Sequence, residues 1–335
     1  MLSTKDNLLL MLNHEVPEYI PDYDIFWGIM GSPPFLMKDM NPDGSGVDWF
    51  GVDWVNEGNP TGAAMPKPYD FILDDITKWR DVIKTPDFSD FDWEGAAKGF
   101  RDNWDPNLPV AGGVGPSVGY FEALVAFMGF SEGLMACCEE PDEVKALMDY
   151  LCTWAEDLNK KYIHYYKPDY GWFGDDIAHE LNPFVSLAQF EDLFAPYWRR
   201  FCNIYVEAGI PIVHHNCGHF ELFLDELVDM GVDAWEPVQA SNDTYAIKEK
   251  FGNKLALIEG YDTRDVRYEG CEPEDITEEL VRVTFREHVE KMAAGGSYAI
   301  FAGDPEMNGA ATAIEKQRTR WCLDEFEKMR YDFYK

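Results

Sequence analysis

His215 and Cys217 stand two residues apart in the run 211–220, Pro-Ile-Val-His-His-Asn-Cys-Gly-His-Phe. Ile212 and Val213 form a short apolar run before them, and Phe220, Phe223, Leu224, Leu227 and Val228 recur at helix spacing after them. Residues two apart on a strand face the same way, so the imidazole and the thiol point together where the strand stops. Imidazole and thiolate suit zinc better than magnesium or calcium, which take oxygen ligands. Gly218 permits a sharp turn just beyond. Taken alone, a His-x-Cys pair is more often a hydrogen-bonded histidine and a buried cysteine, so the context has to decide.

Other runs that read as strands also end in polar residues: Asp175 and Asp176, Glu236, Glu259, and Asp304. In a parallel barrel such ends meet at one face, where catalytic groups collect. Each acid by itself reads more readily as a helix cap or a solvated loop residue. A catalytic zinc takes three protein ligands and leaves one position open. Cys271 lies in a charged loop, Cys-Glu-Pro-Glu-Asp, and follows no strand. The third ligand is therefore expected to be a carboxylate, with Asp304 and Glu236 first and Glu259 next. A site with one thiolate leaves zinc the stronger Lewis acid, because sulfur ligands donate charge to the metal.

The elements that must position these groups alternate along the chain. Strands are expected over 23–27, 108–114, 170–173, 211–215, 232–236, 255–259 and 298–302. Helical patterns run over 3–12, 74–82, 220–230, 245–251 and 276–292, and a long helix follows Pro141. Ser186 and Gln189 make a capping box opening a helix to about residue 206. Such alternation means a parallel sheet, and the fold class is read as α/β: a single (β/α)8 TIM barrel over 1–335. A doubly wound open sheet is the alternative. Residues 1–100 form an N-terminal extension, and the Gly-, Pro- and Asp-rich stretch 31–68 within it reads as loops and irregular pieces that wall a pocket. The cluster Gly112, Gly113, Gly115, Pro116 matches neither the dinucleotide fingerprint nor the P-loop.

Composition narrows the function class. The 62 acidic against 28 basic residues give a formal charge of −34, the wrong sign for nucleic acid or an anionic membrane. The cysteines number 7, an odd count without regular spacing, which argues against a disulfide framework and for a reducing compartment. The first residues show no basic region with a cleavage site, and there is no run of 18 apolar residues, so a cytoplasmic location is expected. A homodimer is admitted by the sequence but not required.

Several local motifs together give a resemblance. They are Asp175-Asp176 followed by Asn182-Pro183-Phe184-Val185-Ser186, Ala195-Pro196-Tyr197, His215-Asn216-Cys217-Gly218, and the runs 235–239 and 257–262. The chain resembles the uroporphyrinogen decarboxylase superfamily, specifically its corrinoid-dependent methyltransferases. That resemblance implies a (β/α)8 barrel and zinc bound through the His-x-Cys motif. Two departures from the family pattern matter. The stretch 22–28 holds no arginine for porphyrinogen propionates, and Ala302-Gly303-Asp304 stands where the coenzyme M methyltransferases carry a later cysteine. The chain is in these respects similar to the methoxyarene O-demethylase methyltransferases.

The resemblance implies a methyltransferase that passes a methyl group from an aryl methyl ether to the cobalt(I) corrinoid of a separate corrinoid protein, with Zn2+ on the ether oxygen. Asp175, Asp176 and His179 are expected to position the ring or protonate the phenolate. Trp27, Tyr120, Trp172 and Trp235 are expected to sandwich it, core packing being the ordinary use of each. The rivals are methylcorrinoid:thiol transfer of coenzyme M type, and a non-catalytic barrel with a structural zinc.

Overall fold

The computed structural model describes residues 1–24, 37–41, 44–56, 64–116, 119–259, 270–271, 275–301 and 312–335, with backbone alone at 37–40. In chain order the strands are β1 (Asp22–Tyr23), β2 (Met37–Met40), β3 (Gly46–Asp48), β4 (Asp53–Val55), β5 (Met65–Pro66), β6 (Ala111–Gly112), β7 (Tyr170–Gly174), β8 (Ile212–His215), β9 (Ala234–Glu236), β10 (Ala256–Glu259) and β11 (Tyr298–Phe301). Seven of them form one parallel sheet in the order β1-β11-β10-β9-β8-β7-β6.

The sheet is strongly curled. β1 and β7 lie five places apart in it, which is about 24 Å across a flat sheet at ~4.8 Å per strand. Yet the rings of Tyr23 and Tyr170 lie 6.3 Å apart. Their side chains meet inside the curl with Ala111, Val213, Ala234, Ala256, Ile258 and Ala299, and the first helix, Thr4–Leu12, closes the bottom with Leu8, Met11 and Leu12. The alternate residues Phe173, Ile212, Trp235, Leu257, Tyr298 and Ile300 pack outward against the helices. This is a TIM-like α/β arrangement; among the described residues it has seven strands, and no pairing joins β1 to β6.

Most expected elements are present with shifted ends, and two differ for physical reasons. The helix opened by the Ser186–Gln189 capping box breaks into Leu187–Leu193 and Ala195–Glu207, since Pro196 has no N–H to continue the ladder. The stretch expected to be loops instead builds an antiparallel sheet, β2-β3-β4-β5. Buried Asp48 holds it by accepting from Phe50 N, Val52 N and Trp54 Nε1 at 2.8, 2.9 and 3.0 Å. The glycine cluster serves close packing: a Cβ on Gly113 would stand 1.7 Å from the Trp172 carbonyl oxygen. Among the described residues no single helix is long and apolar enough to cross a membrane.

Asp175 holds the helix layer to the sheet. It follows β7 on the outward side, and its buried carboxylate accepts from Tyr120 N, Phe121 N and Glu122 N at 2.9, 3.1 and 3.0 Å, and from Trp198 Nε1 at 2.9 Å. It thus caps the helix Tyr120–Met128, where the dipole favours a negative charge. Burial pushes its pKa up to about 6 against the pull of these donors. Gly119 leaves the room required, because a Cβ there would lie 2.3 Å from the Asp175 Cγ. Asp175→Ala should lower unfolding stability by roughly 2–5 kcal/mol, the cost of stranding buried donors. Chemical denaturation checks this, and a loss under about 1 kcal/mol would contradict the capping role.

Candidate metal centre

On β8 the inward positions are Val213 and His215, and Cys217 continues that parity past the strand end. Register pairs Gly174 with His215 and His215 with Glu236, so these positions share one level of the sheet. Asp176, two residues beyond Gly174, faces inward one step higher. The result is a compact donor set: His215 Nε2 lies 3.7 Å from Asp176 Oδ1 and 3.7 Å from Cys217 Sγ, with all three ligand atoms within 4.8 Å of one another. Cys217 N donates to Asp176 Oδ1 at 2.8 Å, tying the turn after β8 to the end of β7. Gly218 takes φ +85°, and a Cβ there would meet the Ala178 and His179 carbonyl oxygens at 2.7 and 2.8 Å.

The imidazole is oriented from behind. Glu236, 1% exposed, sets Oε1 3.0 Å from His215 Nδ1 and accepts from Trp172 Nε1 at 2.9 Å. A carboxylate only accepts, so Nδ1 carries the proton and Nε2 faces Asp176 and Cys217. This carboxylate–histidine pairing is the usual support of a metal-bound imidazole. The half-buried donors, one nitrogen, one sulfur and one oxygen, fit zinc in number and type.

Electrostatics describe the site before metal enters. Burial opposes charge on His215, but the Glu236 carboxylate, Cys217 and Asp176 outweigh it and hold the pKa well above the ordinary histidine value. Burial raises the Cys217 thiol, with His215 pulling the other way. Beside them lies Glu122, on the helix capped by Asp175, with its Oε2 buried and without a hydrogen-bond partner. Burial, then the Asp176 and Asp175 charges, raises its pKa well above the ordinary carboxylate value. No sequence motif pointed to Glu122.

The expected site residues divide clearly. His215, Cys217 and Asp176 come together. Glu236 stands behind the imidazole rather than beside the thiol, and lies outside the cluster of three donors. Glu259 faces outward from β10, bound by His288 Nε2 and by Tyr298 OH at 2.7 Å, and is no ligand candidate. Asp175 faces outward and carries the helix cap. His179 is exposed on the turn after β7, and its carbonyl accepts from His219 N. Trp172 lies against His215 with ring centroids 5.7 Å apart. Trp235 is outward, fully buried against Phe220, and donates to the Asn216 carbonyl. Tyr120 is packed into the core against Tyr197. Neither of these two faces the donor set. Trp27 and Asp304 lie outside the described residues, and Cys271 is exposed.

The family model of uroporphyrinogen decarboxylase (URO-D) matches residues 70–299, which include every residue of the donor set. A methyltransferase from Methanosarcina mazei superposes over 100% of both chains with a TM-score of 0.65 at 14% sequence identity, a likeness of fold. No curated protein matches the sequence.

Metal binding should follow the donor set. The purified chain should take up about one zinc, and Asp176→Ala, His215→Ala or Cys217→Ala should abolish tight binding without unfolding. Glu236→Ala should weaken it roughly 10- to 100-fold. The acids around His215 raise its pKa and burial raises that of Cys217, and metal binding displaces a proton from each, so affinity rises with pH. Competition with a chelator between pH 6 and 8 measures that slope; a flat profile would contradict the assignment.

Proposed function

The chain belongs to the uroporphyrinogen decarboxylase family, and within it we propose that the protein is a zinc-dependent methyltransferase acting on an aryl methyl ether of methoxyphenol type. The acceptor is the cobalt(I) corrinoid of a partner protein. The carrying observation is the donor set of His215, Cys217 and Asp176 with Glu236 behind the imidazole. The curled sheet is read as a closed (β/α)8 barrel, with the whole chain as one domain. The fold shared with the Methanosarcina mazei methyltransferase supports the reading.

Several features set the rivals aside. The run 22–28 has no arginine to bind the carboxylates of a porphyrinogen. Ala302-Gly303-Asp304 offers no second thiolate, which an electron-rich, thiol-activating centre would use. The three clustered donors match the three protein ligands of a catalytic zinc, which keeps one position for substrate.

A zinc ion held by these residues supplies a Lewis acid at the ether oxygen. The methyl carbon passes to cobalt, the C–O bond breaks, and its electron pair stays on the phenolate oxygen. The chain holds the ring so that the methyl points outward, in line with the acceptor. Trp172, half-buried beside His215, offers a flat wall for it. A partner has apolar surface to meet nearby: Leu181 is 72% exposed on the turn bearing His179, and Phe130, 46% exposed, packs on Phe184 of the same turn.

The test mixes the zinc-loaded protein, a methoxyphenol and reduced corrinoid, and follows the methylcobalt spectrum together with the released phenol. Both should appear together, and His215→Ala should abolish both. Methylation of a thiol from methylcobalamin, with no reaction toward any methoxyarene, would overturn the reading.

A further inference from the structure

We infer that Trp172 is a positioning residue of the metal centre, fixing through Glu236 the direction in which His215 presents Nε2. The inference rests on the proposed role of His215 as a metal ligand. Trp172 occupies an inward place on β7, paired in register with Val213 of β8. Its indole N–H and the His215 Nδ1–H converge on one carboxylate oxygen, Glu236 Oε1, at 2.9 and 3.0 Å.

Two donors on one oxygen define its position far better than one does, because the carboxylate can rotate about a single hydrogen bond. Glu236 is buried, so bulk water does not replace a lost donor. The indole ring, tilted 43° to the imidazole with centroids 5.7 Å apart, also bars the histidine ring from swinging toward β7. A phenylalanine would keep most of the ring contact and remove the N–H, so the two contributions are separable. A ring contact alone predicts an effect independent of Glu236; positioning through the carboxylate predicts one that vanishes with it.

The experiment is a double-mutant cycle read as zinc affinity of the purified full-length chain, by chelator competition, with thermal unfolding of the metal-free variants alongside. Trp172→Phe should weaken zinc binding roughly 10-fold, in the range of losses from groups behind a ligand, and should have no effect in the Glu236→Ala background. If Trp172→Phe unfolds the chain, site-specific replacement of Trp172 by benzothienylalanine, which keeps the ring shape without the N–H, should show the same loss. Unchanged affinity on loss of the N–H, or an equal loss in both backgrounds, would overturn the inference. A wild-type chain that binds no zinc would instead overturn the ligand assignment itself.

Discussion

The parallel register of β8 against β9 sets His215 level with Glu236, and the chemistry at the sheet's mouth depends on that one pairing. A one-residue slip would turn every side chain of the strand to the opposite face. A slip of β9 would point Glu236 to the helices, and a slip of β8 would put His214 inside in place of His215. With the register held, the buried carboxylate meets imidazole and indole N–H groups rather than hydrocarbon, which is the condition for keeping its charge out of water. The imidazole in turn faces the thiol and the Asp176 carboxylate.

The outward side solves the opposite problem. His214, between Phe173, Trp198 and Phe220 at 4.3, 4.5 and 5.4 Å, has its pKa driven well below the ordinary value by burial, then by the adjacent His215. Two neighbouring histidines thus differ in charge because they face different media. The neighbouring acids Asp175 and Asp176 divide in the same way. The outward one locks a helix to the sheet, and the inward one joins the donor set. Glu122 stands between the two, since its backbone N–H donates to Asp175 and the Asp176 charge acts on its buried carboxyl.

Much of this is legible in the amino-acid sequence. The alternation of strands and helices follows from periodicity, and the His215–Cys217 pair from the two-residue repeat of a strand. The third donor was harder to see, for a definite reason. β7 is buried on both faces, as is β9, so their apolar residues show no alternation that would say which way Asp175, Asp176 or Trp235 points. Counting parity from the paired level of Gly174 and His215 resolves it, but that pairing is a tertiary fact. The small antiparallel sheet was hidden because strands of two to four residues are too short to show a period. Glu122 reaches the site only because a helix start docks on a strand end 54 residues later in the chain, at Asp176.

The central claim is that a single nitrogen, a single sulfur and a carboxylate oxygen from three inward positions hold one metal ion. Zinc K-edge absorption of the metal-loaded protein reads that set directly. The account predicts one sulfur at about 2.3 Å with the remaining neighbours nitrogen or oxygen at about 2.0–2.2 Å, and loss of the sulfur shell in Cys217→Ser. Two or more sulfur neighbours, or a sulfur shell that survives the loss of Cys217, would contradict it.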